Sequence, residues 1–119
     1  MELYISERTP PEDVKRYFSS CYPFLKIELY RIWEGDDVPK KKNVPVAHKF
    51  VGLLKEGVVD INNDITVAEL GNSFAAFGLR TEVFRKSGNV WVETFLTDSW
   101  TLQQQNKAGE EISNPEIYS

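Results

Sequence analysis

The run Phe24-Leu25-Lys26-Ile27-Glu28-Leu29-Tyr30-Arg31-Ile32-Trp33 constrains this chain most, because it alternates Leu25, Ile27 and Leu29 with Lys26, Glu28 and Tyr30. Successive side chains of a strand point to opposite faces, so this pattern is a strand with one face in a core and one toward water. Such a strand needs a partner layer, and the preceding residues offer one. Val14, Tyr17, Phe18 and Cys21 recur at helical spacing, and Pro23 stops that helix. Its start is written in Thr9-Pro10-Pro11-Glu12: Thr9 suits a cap, Glu12 the capping-box position, and Pro10 a place where a missing N–H costs nothing. Leu3 to Ser6 reads as a strand before it.

The second half repeats the order. Val58 to Ile61 reads as a strand, and Asn62-Asn63-Asp64 as a polar turn. Thr66-Val67-Ala68-Glu69 is a second capping box, and Leu70, Phe74 and Phe77 line a helix closed by Gly78. Leu79 to Arg85 is the following strand, Lys86-Ser87-Gly88-Asn89 a hairpin turn and Val90 to Phe95 the returning strand. An offset of 56 lays Val14 on Leu70 and Phe18 on Phe74; an offset of 54 lays Leu25–Arg31 on Leu79–Arg85. The expected fold is α+β: two tandem β-α-β units in a mixed sheet with helices on one face, a ferredoxin-like two-layer sandwich or close relative, plus a short C-terminal helix.

Residues 1–109 are expected to form one domain of two related halves, 1–33 and 57–95, joined by an exposed loop over 34–45. Residues 46–56 fit either a short helix or a strand, and strand is favoured. Thr101-Leu102-Gln103-Gln104 opens the last helix, expected to end near Ala108 with Gly109 after it; 110–119 reads as a flexible acidic tail. A composition of 41% hydrophobic, 13% aromatic and 27% charged residues is that of a folded domain rather than a disordered chain.

Several functions are disfavoured. The net charge of −4 falls between Glu93 and Ser119, leaving a neutral body without the electrostatic pull of a nucleic-acid binder. Lys40-Lys41-Lys42 is flanked by Glu34, Asp36 and Asp37 and reads as a solvated loop. One histidine, His48, and one cysteine, Cys21, cannot build a zinc site or a nucleophile–base pair beyond themselves. Cys21 suits a core boundary and His48 the surface. Asp60 to Asp64 imitates a calcium loop, but Ile65 and Gly71 stand where glycine and glutamate are required. No phosphate-loop motif occurs. The reading is therefore a non-enzyme without cofactor or metal. With one thiol, no basic-apolar leader and no long apolar window, cytoplasmic is the expected location, with no membrane contact.

Thr66–Leu70, Phe84-Arg85-Lys86-Ser87-Gly88-Asn89-Val90-Trp91, Glu93-Thr94, Thr97-Asp98-Ser99-Trp100-Thr101-Leu102 and Gln105-Asn106 together resemble a family of short, uncharacterised bacterial proteins. Tyr22 to Glu28 carries a weaker echo. That family has no assigned activity, so the resemblance implies a bacterial, cytoplasmic protein and transfers no catalytic residue.

Aromatic placement is the remaining functional signal. Alternation puts Val90, Val92 and Thr94 on one face of the returning strand and Trp91, Glu93 and Phe95 on the other. If the aliphatic face meets the helices, Tyr30, Phe84, Trp91 and Phe95 lie on an opposite face with Lys26, Glu28, Arg80, Glu82 and Glu93. Aromatics among charges suit a protein partner or self-association; the alternative is that the last helix, through Trp100 and Leu102, covers them. A second reading is an enzyme or small-ligand binder with a pocket near Asp98 and Trp100, although Asp98 and Ser99 also suit helix capping.

Overall fold

The computed structural model describes residues 1–33, 42–46 and 48–114. In chain order the elements are β1 (Glu2–Ile5), α1 (Pro11–Cys21), β2 (Leu25–Trp33), β3 (Lys42–Pro45), β4 (Gly57–Asp60), α2 (Val67–Ala75), β5 (Leu79–Ser87), β6 (Val90–Glu93), a 3-10 turn (Phe95–Thr97) and α3 (Leu102–Ser113). No helix among the described residues is long and apolar enough to cross a membrane.

The class is α+β, but the sheet is not mixed. Among the described residues all ladders are antiparallel: one sheet has the order β3-β2-β5-β6, and β1 pairs with β4 in a separate two-stranded sheet. The expected β-α-β crossovers within one sheet are therefore not formed. β2 is flanked by β5 along Leu25–Arg31 and by β3 over its last four residues. β1 instead turns Leu3 and Ile5 inward beside Val59 of β4, closing the same core from a second layer.

The core lies on one face of the four-stranded sheet. Leu25, Ile27 and Leu29 of β2 and Leu79 and Val83 of β5 are buried there with Val14 and Phe18 of α1, Leu70 and Phe74 of α2, and Leu102 of α3. Burying large side chains such as these contributes about 1.5–3 kcal/mol each. The face carrying Lys26, Glu28, Tyr30, Arg80, Glu82 and Phe84 contributes nothing to this cluster.

Both halves run β-α-β-β, and their registers follow the offsets that align their sequences. The offset of 56 carries Leu3 to Val59, which is its own ladder partner. The offset of 54 carries Glu28 to Glu82, again its partner. β3 pairs with β2 over Tyr30–Trp33, and β6 pairs with β5 over Phe84–Ser87, positions separated by the same 54. Even the ends match: Val46 N–H donates to the Leu29 carbonyl and Thr94 N–H to the Val83 carbonyl.

Local corrections have physical causes. Thr9 does not cap α1; the N-cap is Pro10, extended at ψ 131°, because a residue before proline avoids the helical region and Pro11 takes the first turn. At α2 the Thr66–Glu69 capping box forms as expected. The described residues of 46–56, which exclude 47, hold no regular strand; the strand is Lys42–Pro45, inside the expected loop. Lysine and proline in so short an edge strand disguise it as loop. Residues 34–41, with Lys40 and Lys41, lie outside the described residues. β6 ends at Glu93, so Phe95 leaves the sheet on the 3-10 turn. Helix α3 runs through Gly109 to Ser113, so the expected tail begins as helix. Gly109 is a contact residue and not a stop: a Cβ there would stand 3.0 Å from Arg85 Cγ and from Phe24 Cβ.

Candidate functional site

The register brings Phe84 and Trp91 together on the open face. Phe84 pairs with Lys26 on one side and Glu93 on the other, and Trp91 stands opposite Lys86. The Lys26 ammonium lies 5.1 Å from the Phe84 ring centre and 5.3 Å from that of Trp91, within cation–π range of both. Trp91 is 39% exposed and Phe84 half-buried.

Tyr30 shares the face but not the cluster. It pairs with Arg80, four residues along from the Lys26–Phe84 pair, roughly 13 Å at strand spacing. Its hydroxyl donates to Glu82 Oε2 at 3.4 Å. Partial burial, with Glu82 and Glu28 alongside, pushes the phenol above its ordinary range. Phe95 is off the sheet and largely exposed on the 3-10 turn. Of the two valines expected to mark the covered side, Val92 is half-buried while Val90, next to the hairpin turn, is exposed.

Helix α3 does not cover the rings. Leu102 enters the main core, and Trp100 lies over the Arg85 guanidinium at 5.6 Å. Arg85 projects to the face of Leu25, opposite Trp91. Residues 97–106 make this docking. Gln105, fully buried, donates to the Thr97 carbonyl and hydroxyl, both at 2.8 Å, and accepts from Arg85 Nη1 at 2.9 Å. Asn106 Oδ1 accepts from Phe24 N–H at 2.8 Å, and Thr101 and Gln104 form α3's capping box. The amides of Val67 and Ala68, at the start of α2, donate to the carbonyls of Trp100 and Asp98. Capping near Asp98 is thus done by main chain, across to another helix.

A cleft of about 410 Å³ lies beside the free edge of β5, between α2 and the 3-10 turn. Glu82, Glu93, Asp98 and Arg80 line it with Val67 and Phe95. Arg80 reaches Glu82 at 3.8 Å. Asp98 belongs to this cleft and Trp100 does not line it, so the expected Asp98–Trp100 pocket is not formed as a unit. The expectation of a pocket near Asp98 thus meets this cleft at one residue; its walls on β5 and α2 were not foreseen, and their one legible signal was Gly71, a helical position without a side chain.

Cys21 is half-buried against the core and His48 is exposed. Asp60 to Asp64 serves as a turn: Asp60 Oδ1 accepts from Asn62 N–H, and Tyr22 donates its hydroxyl to the Ile61 carbonyl at 2.6 Å. No group of three or more metal-ligating side chains occurs among the described residues. Comparison of the chain with protein-family models, curated proteins and solved structures finds no match.

Proposed function

We propose that this protein is a non-catalytic interaction module that docks a protein surface on the open face of its four-stranded sheet, around Lys26, Phe84 and Trp91. The observation that carries the reading is the Phe84–Trp91 pair sharing one ammonium on the face away from α1, α2 and α3. Large aromatic side chains, tryptophan above all, are enriched among the anchors of protein interfaces. Lys26, Lys86 and Arg80 share the face with Glu28, Glu82 and Glu93, so it is mixed in sign and complementary to itself. A second copy of the chain is therefore the first partner to test. A half-buried lone thiol suits a reducing, cytoplasmic setting. The paired registers support reading the halves as an internal repeat.

The test is the mass in solution across a concentration series, followed by capture of binders from native lysate, for the wild type and Trp91→Ala. The variant is expected to fold normally and to lose association or capture. Wild-type binding retained in the folded variant would remove the reading.

A further inference from the structure

The two strand edges flanking the Glu28–Glu82 pair are filled differently. In the first half Lys15 of α1 crosses the free edge of β2 and sets its ammonium 3.1 Å from Glu28. The offsets that relate the halves place Gly71 at the position of Lys15, Thr81 at that of Ile27 and Glu82 at that of Glu28. With no side chain at Gly71, the second half has the 410 Å³ cleft where the first has a lysine. That volume is within the range of small-ligand sites.

The cleft's lining suits the missing group. Three acidic residues, Glu82, Glu93 and Asp98, line the cleft against one arginine, Arg80, whose side chain is 52% exposed. Glu82 holds Arg80 at 3.8 Å and accepts from the Tyr30 hydroxyl at 3.4 Å, leaving Glu93 and Asp98 as further acidic lining. Val67, Val83 and Phe95 add apolar wall for an alkyl stem. The Val83 carbonyl accepts from Thr94, so strand alternation turns the N–H and C=O of Thr81 to the same side, at the open edge. These two groups suit the amide of an extended residue.

We infer that this cleft binds a primary alkylammonium group, the chemistry of a lysine side chain, and so receives from outside what Lys15 supplies to Glu28 from within. This goes beyond the open-face reading: the two share Arg80, Glu82 and Glu93, but Lys26, Phe84 and Trp91 do not line the cleft, so Trp91→Ala tests the open face without altering the cleft's lining.

The experiment follows backbone amide shifts of the full chain on titration with n-butylammonium, Nα-acetyl-lysine methylamide and, as a control of opposite charge, pentanoate. Both amines are expected to move Gly71, Thr81 and Glu82, and pentanoate to move none of them. A stronger response to the lysine amide assigns the site to a protein lysine; a stronger response to butylammonium assigns it to a free amine. Glu82→Gln is expected to weaken binding about tenfold. Gly71→Lys is expected to abolish it by filling the cleft as Lys15 fills its counterpart; a Cβ at Gly71 meets Thr81 Oγ1 at an ordinary 3.8 Å. Shifts absent with both amines, an equal response to pentanoate, or undiminished amine binding in both folded variants would overturn the inference.

Discussion

Glu28 and Glu82 stand directly opposite one another across the β2–β5 ladder, each about one-third exposed. Like charges in that position repel, and each has its own cation: Lys15 at 3.1 Å and Arg80 at 3.8 Å. Lys15→Met is therefore expected to destabilise the fold by about 0.5–1 kcal/mol in urea unfolding. Adding Glu28→Gln to that variant should restore most of the loss, because the repulsion goes with the carboxylate. A double variant weaker than the single one would contradict this account.

Trp91 and Phe74 separate the open sheet face from the core. Trp91→Ala should cost under about 1 kcal/mol, as for a surface change. Phe74→Ala, at a fully buried ring, should cost about 3–5 kcal/mol. Denaturant midpoints measure both, and a comparable loss in the two variants would place Trp91 in the core.

Among the described residues, Tyr22 is the tyrosine whose phenol is pushed furthest up. Burial first, then the charges of Cys21, Asp60 and Asp64, push its phenol to about 12. The unfolded chain ionises the same group near 10. The folded state thus holds the proton more tightly, and this stability is intact below pH 10 and lost as pH rises toward 12. Ultraviolet titration of wild type against Tyr22→Phe should show one high-pH tyrosine disappear. The variant should also have a shallower decline in stability across that window.

Gln105 ties α3 to the sheet through Arg85 and Thr97. Gln105→Leu leaves buried polar partners unpaired, and a loss of about 2–3 kcal/mol is expected. Hydrogen exchange should quicken in α3 before it does in β2.

Gly109→Ala tests the packing of the same helix without touching its hydrogen bonds. The added methyl would meet Arg85 and Phe24 at 3.0 Å and the Lys86 carbonyl at 3.2 Å, so about 1–3 kcal/mol is expected to be lost. An unchanged thermal midpoint would show that α3 shifts freely on the sheet.

Much of the secondary structure was legible because it depends on neighbours in the chain. Alternation marked β2 and β5, Thr66–Glu69 and Thr101–Gln104 marked helix starts, and Gly88, at φ 65°, marked the hairpin turn. The common face of Phe84 and Trp91 was legible too, since a period of two leaves no choice once both strands exist. Lys42–Pro45 was not, because its pairing with β2 rather than its composition makes it a strand.

By itself, then, the sequence determined which residues alternate, where most helices start and that the two halves share an order. It could not determine which strand pairs with which, because a strand's hydrogen bonds are satisfied equally well by any partner of suitable register. Tertiary structure decided that β1 leaves the main sheet for β4, that α3 packs away from Trp91, and that Gly71 opens a cleft where Lys15 closes one. Each of these depends on long-range packing of side chains into one core, and no local pattern in the chain encodes it.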